Sequence, residues 1–175
     1  DARPASFGAQ VVIAAMLLAG AIAQPLGLSG AACRVNEPGP ALIVTVAGLK
    51  DRKGTLRVEL YPANEEDFLA DDTALIRAHK PFRRLVARVP KTGEAQLCIR
   101  APEPGVYAVV VLHDRDDDMR FSPLSDGVGL PGNPKLRLSR PKAAQASVQV
   151  GPGVSRIRVL LNYRHGLSFR PIASQ

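Results

Sequence analysis

Thr55 to Tyr61 read TLRVELY, with Leu56, Val58 and Leu60 alternating with Thr55, Arg57, Glu59 and Tyr61. A period of two with polar partners predicts a strand with one buried face. Val106 to His113 read VYAVVVLH and are apolar on both faces, which predicts a central strand entered through the turn signal Pro104-Gly105. Working outward, Ala41 to Leu49 (ALIVTVAGL) place Leu42, Val44 and Val46 on one face. The charged link Lys50 to Gly54 reads as a hairpin loop between this strand and TLRVELY. Alternation resumes in Phe82 to Val89 and in Glu94 to Arg100, separated by Pro90-Lys91-Thr92-Gly93. In the second of these, Ala95, Leu97 and Ile99 share a face and Cys98 points the other way. Ser147 to Val150 and Arg156 to Tyr163 supply the last strands, with Ile157, Val159 and Leu161 inward.

About seven short strands with turn signals between them predict an all-β fold, an immunoglobulin-like or transthyretin-like antiparallel β-sandwich. Residues 62 to 81 break the alternation and read as a short helical or loop crossover between the sheets. Asn64 is placed to cap a short helix carrying Glu65, Glu66 and Asp67 in its first turn. The domain is expected to span residues 41–163, preceded by a loose segment at 24–40 and followed by a loose basic tail at 164–175. Leu56, Val58, Leu97, Val110 and Ile157 are the predicted core, and Arg57 is expected to face solvent.

The composition agrees. The chain has 175 residues, 46% hydrophobic and 22% charged, with 15 Gly and 15 Pro. That suits one globular domain rich in turns and lacks the bias of a disordered chain. The net charge is +7, which attracts anionic glycan or lipid surfaces or serves only to keep the protein soluble. Nucleic acid is not expected, because there is no Trp and no cluster of basic residues interleaved with stacking aromatics.

Val11 to Ala23 (VVIAAMLLAGAIA) is an unbroken apolar run ended by Gln24-Pro25. It is shorter than the roughly 20 residues a membrane span needs. Its length and the small-x-small pattern Ala21-Ile22-Ala23 fit a signal peptide over residues 1–23, cleaved before Gln24. The expectation is an exported protein of the periplasm or cell envelope. In an oxidising compartment an even pair of cysteines, Cys33 and Cys98, reads as a disulfide. Lipidation of Cys33 is the alternative, but Leu28-Ser29-Gly30-Ala31-Ala32 puts Gly where lipoprotein signals usually carry Leu.

The order of these segments resembles a bacterial family known only as domain of unknown function 2141. The stretches that carry the resemblance are LIVTVAGLKDRKGTLRVELYP, APEPGVYAVVVLHDRDDD, DGVGLPGNP and SRIRVLLNY, together covering Ala41 to Tyr163. Some members carry a cysteine before the first strand and another just before the Pro-Gly turn, as Cys33 and Cys98 stand here. The resemblance implies a small envelope sandwich without a known activity. Members often read D-x-N-x-N-G in the acidic loop, followed by another Asp. Met119 and Ser122 stand at those two places here.

The sharpest chemical constellation is Asp114-Arg115-Asp116-Asp117-Asp118. Carboxylates at alternating positions 114, 116 and 118 converge when the chain curls around a cation, as at positions one, three and five of a calcium loop. The Arg120 carbonyl then falls at position seven, and Asp126 is the candidate to complete the sphere. Met119 at position six lacks the glycine that makes the sharp turn easy. The competing reading is a solvated acidic loop partly neutralised by Arg115 and Arg120. Calcium is therefore the one cofactor the sequence raises.

Three functional classes follow. The first is a non-catalytic envelope binding or accessory module of unknown ligand. The second is a structural module attached to anionic envelope polymers or lipid through its basic surface. The third is a metal-dependent hydrolase centred on His113 and the acidic loop. The chain has no nucleophile elbow, phosphate loop or dinucleotide fingerprint, and His79 and His165 lack joint zinc spacing. The chain is therefore expected not to be an enzyme.

Overall fold

The structure, a computed structural model, describes residues 27, 28 and 30–172. The apolar run at 11–23, with its Ala21-Ile22-Ala23 pattern, lies outside the described residues. Among the described residues no helix is long and apolar enough to cross a membrane.

In chain order the strands are β1 (Ala41–Ala47), β2 (Thr55–Pro62), β3 (Arg83–Arg88), β4 (Ala95–Arg100), β5 (Gly105–Asp114) and β6 (Gly127–Gly129). They continue as β7 (Ser147–Val150), β8 (Val154–Leu160), β9 (Asn162–His165) and β10 (Ser168–Arg170), with an α-helix, α1 (Asp72–Arg77), before β3 and a 3-10 turn at Ala143–Gln145 before β7. They form a β-sandwich. A three-stranded sheet has the order β4-β1-β8, and a larger sheet runs β10-β9-β6-β5-β2-β3, with β7 beside β5. The pairing is antiparallel except between β1 and β8, where Val44 lies opposite Ile157.

Apolar alternation identifies which face of a strand is buried but not which strand is its partner. That is why two connections differ from the sequence reading. Lys50 to Gly54 is an arch between sheets rather than a hairpin, because β1 pairs with β4 and β8 while β2 pairs with β3 and β5. Residues 63–82 are an excursion within one sheet rather than a crossover between sheets, since β2 and β3 are neighbours. Asn64 accepts the Asp67 N–H at 2.8 Å as a cap would. Its turn ends at Leu69, in the left-handed region at φ 57°, and the helix begins at Asp72, capped by Asp71 on the Ala74 N–H.

Between the sheets lies the main core: Leu42, Val44 and Val46 of β1, Ala95, Leu97 and Ile99 of β4, Leu56, Val58 and Leu60 of β2, and Val109 and Val111 of β5. Strand β5 is also apolar on its other face. There Ala108, Val110 and Leu112 pack with Phe68, Phe82, Leu130 and Phe169 in a second cluster. The larger sheet thus carries a third layer of loops on its outer side. As expected, Leu56, Val58, Leu97 and Val110 are buried, while Ile157, on an edge strand, is only partly covered. Arg57 is the clear correction. Its face of β2 lies beneath the third layer, and it is 5% exposed.

In both flanking segments described residues are joined to the sandwich. Ala31 is buried in the main core, Ala32 bridges Ile99, and the Cys33 N–H donates to the Cys98 carbonyl at 3.1 Å. Cys33 and Cys98 form a disulfide with Cα atoms 5.4 Å apart, fastening this segment along β4. At the other end the chain turns at Gly166 and returns as β10. The basic tail holds one anchor that composition hides: Phe169, buried in the outer cluster. The Tyr107 hydroxyl donates to the Glu103 carbonyl at 2.8 Å and ties down the entrance to β5, a tyrosine corner of the kind sandwiches use.

Candidate functional site

Strand β5 delivers Asp114 to the end of the larger sheet. The arch from β1 to β2 closes over it: Gly54 has φ +67°, and a Cβ there would lie 1.9 Å from the Asp114 carbonyl oxygen. Only glycine allows that approach. Asp114 is 1% exposed. Its Oδ2 accepts the Met119 N–H at 2.9 Å, whereas its Oδ1 is buried with no partner. Burial, followed by the charge of nearby Asp126, pushes the Asp114 carboxyl above the usual carboxylate range despite the Met119 N–H. A buried carboxylate oxygen without a donor is costly unless something positive meets it.

The loop beyond Asp114 curls back on itself. Asp117 and Met119 both adopt left-handed backbone, at φ 61° and 62°, so Met119 makes the turn that a glycine makes in calcium loops. Its conformation is held from both sides, by the Asp114 carboxylate on its N–H and by Arg57 Nη1, which donates to its carbonyl at 2.6 Å. The Asp118 carboxylate accepts the Arg120 N–H at 2.7 Å. Each of Asp114, Asp116 and Asp118 offers a carboxylate oxygen, and the three lie within 4.8 Å of one another.

Two of the neighbouring arginines are paired with other groups. Arg115 pairs with Asp51 and donates to the Ser125 carbonyl, and Arg88 pairs with Asp117. Asp114, Asp116 and Asp118 take part in no ion pair among the described residues. Oxygens about 2.3–2.6 Å from a calcium ion stand up to about 5 Å from one another across it. Carboxylate oxygens that lie within 4.8 Å of one another are therefore close enough to meet one calcium ion.

Asp126 does not join this group. Its fully buried carboxylate accepts the Arg115 N–H at 3.2 Å, the Ser122 N–H at 2.8 Å and the Ser125 hydroxyl at 3.0 Å. It fastens the base of the loop instead, because the turn from Ser122 to Asp126 folds its side chain back onto its own backbone.

His113 is fully buried with both ring nitrogens engaged. Nε2 lies 2.8 Å from the Lys53 carbonyl and Nδ1 lies 2.7 Å from the Tyr163 hydroxyl. A carbonyl only accepts, so Nε2 carries the proton and Nδ1 accepts from Tyr163, whose oxygen in turn accepts the Lys50 N–H at 2.9 Å. Burial holds His113 below the ordinary imidazole range and pushes the Tyr163 hydroxyl up to about 12. This network clamps the arch over Asp114.

A buried ionic network was not legible in the sequence. Arg57 Nε lies 3.3 Å from Glu59 Oε1, an ionic contact without hydrogen-bond alignment. Arg84 bonds both Glu59 and Asp72 at 2.6 Å, and the Tyr61 hydroxyl donates to Glu59 at 2.8 Å. Sequence alternation could assign these residues to one face but not reveal that the face is covered.

The model of a bacterial family described as "Uncharacterized protein conserved in bacteria (DUF2141)" matches residues 44–158. No curated protein matches the chain, and no solved structure matches it.

Proposed function

We propose that this chain, which belongs to the uncharacterised bacterial family DUF2141, works as an exported, non-catalytic binding module whose acidic loop is closed by one calcium ion. The observation that carries the cation is the partnerless buried Oδ1 of Asp114, set beside two further carboxylates that form no ion pair among the described residues. Asp114, Asp116 and Asp118 would hold the ion. The closed loop would fix residues 119–126, which run along one edge of the outer layer.

The disulfide supports export, because such bonds persist in oxidising compartments, and the signal-like run at 11–23 points the same way. The engagement of both His113 nitrogens supports a structural role for that residue, since a general base needs a free lone pair within reach of substrate.

Thermal unfolding of the chelator-treated protein tests the reading. Calcium at about 100 times its dissociation constant stabilises the folded state by about 2.7 kcal/mol, roughly 5–10 °C for a chain of this size. Asp116 is exposed, so Asp116→Ala should keep the calcium-free melting temperature and lose the gain. Equal shifts in the two proteins would place the ion elsewhere and refute the assignment.

A further inference from the structure

The outer face of the larger sheet carries a cavity of about 260 Å³, floored by Val110 and Leu112 and walled by Val128, Leu136, Phe121 and Phe169. Its walls are fixed by backbone pairing: the Phe169 N–H donates to the Leu136 carbonyl at 3.2 Å, and Arg137 bridges Ser168. The mouth is apolar and open, with Phe121 39% and Leu138 48% exposed. Two arginines, Arg137 and Arg140, stand at the same mouth. Both are exposed, and neither belongs to an ion pair among the described residues. Among the described residues Arg140 donates only to the Glu65 carbonyl, at 3.3 Å, and the Glu65 carboxylate is turned to the Ala143 N–H.

We infer that this cavity binds a single aliphatic chain bearing an anionic head group, with the chain on Val110 and Leu112 and the head at Arg137 and Arg140. A cavity of about 260 Å³ lies just below the usual range of small-molecule sites, about 300–1,000 Å³, and so suits a short aliphatic chain. A lining that is apolar apart from Ser139 and two exposed arginines matches a free amphipathic carboxylate. A sugar or a peptide would need polar groups inside the cavity. This deepens the binding-module reading and rests on it, but it does not require the cation.

Calorimetric titration of the purified protein with octanoate, 1-octanol and butyrate tests the inference. Octanoate should bind at one site per chain with a dissociation constant on the order of 100 µM, about fivefold tighter than octanol, and butyrate should not bind. The double variant Arg137→Gln, Arg140→Gln changes only exposed side chains and should bring octanoate and octanol to equal affinity. Val128→Phe, confirmed as folded by its melting temperature, should abolish both. Equal affinities for octanoate and octanol in the unsubstituted protein would overturn the role of the arginines. Absence of octanoate binding at 5 mM would overturn the site. So would retention on phosphatidylglycerol vesicles without uptake of monomeric octanoate, which would make the face a membrane-contact surface. Each titration is run with calcium and with chelator. Loss of octanoate binding in protein that still responds to calcium overturns the cavity alone. Octanoate binding without a calcium response overturns the cation alone.

Discussion

Replacing Arg57 with alanine tests the covered outer face of the larger sheet. On an exposed strand face this change is worth almost nothing. Here the side chain is 7% exposed, donates to the Met119 carbonyl at 2.6 Å and lies 3.3 Å from Glu59. Alanine keeps Cβ, so the two further methylenes of the buried stem are lost, at about 0.8 kcal/mol each or roughly 1.6 kcal/mol. The charge-assisted bond to Met119 adds about 1.5–3 kcal/mol. Glu59 keeps Arg84 at 2.6 Å and the Tyr61 hydroxyl at 2.8 Å, so the full penalty of an abandoned buried charge is avoided. With some water entering the gap, Arg57→Ala should cost about 3 kcal/mol. Arg57→Met, which keeps the stem, should cost about 2 kcal/mol. Urea denaturation should show a lower midpoint at unchanged slope, and the melting temperature should fall by roughly 6–12 °C. Arg158→Ala is the control: its pair with Glu94 is 66% and 52% exposed and should change stability by less than about 0.5 kcal/mol. If Arg57→Ala and Arg158→Ala are indistinguishable, the third layer does not cover β2 and the reasoning fails.

Four further outcomes are expected. Joining residues 65 apart in sequence, the disulfide should stabilise the fold by about 4 kcal/mol on the chain-entropy estimate, measured as the difference in denaturant midpoint between oxidised protein and the Cys33→Ser, Cys98→Ser variant. Val110→Ala, in the outer cluster, should cost on the order of 1–3 kcal/mol in the same assay. Tyr163→Phe strips the partners from His113 Nδ1 and the Lys50 N–H and should cost about 1–3 kcal/mol, with faster hydrogen exchange across residues 50–54. The Asn64 amide holds the Asp67 carboxyl below the usual range, against burial and with help from Lys80. A carboxylate lowered in the folded state adds stability that is complete above its unfolded value near 4 and is lost as pH falls through the folded value. The melting temperature of Asp67→Asn should therefore lie below that of the unsubstituted protein at pH 6 and converge with it in acid.

What the sequence revealed follows from what periodicity measures. Leu56, Val58 and Leu97 sit on faces that alternate cleanly, and Tyr107 to Leu112 of VYAVVVLH are buried on both sides because the smaller sheet packs on one face of β5 and the outer cluster on the other. Periodicity is silent on partners, so the arch at 50–54 and the excursion at 63–82 could not be told from a hairpin and a crossover. Nor could it show that Arg57, Glu59 and Tyr61 lie under a layer built by residues 64–82 and 121–146, far away in sequence. In the acidic loop the alternation of Asp114, Asp116 and Asp118 was enough to predict their convergence. Spacing alone placed Asp126 with them, because it takes no account of the Ser122 and Ser125 groups that occupy its oxygens. The cavity at Arg137 and Arg140 left no local pattern, since its walls come from five separate segments.

Calorimetric titration of chelator-stripped protein with calcium tests the central claim most directly. The account predicts one ion per chain with a dissociation constant between about 10 µM and 1 mM, the weaker part of the range for calcium loops, and loss of the signal in Asp116→Ala. A flat titration up to about 10 mM would contradict it and leave Asp114, Asp116 and Asp118 as a solvated acidic loop.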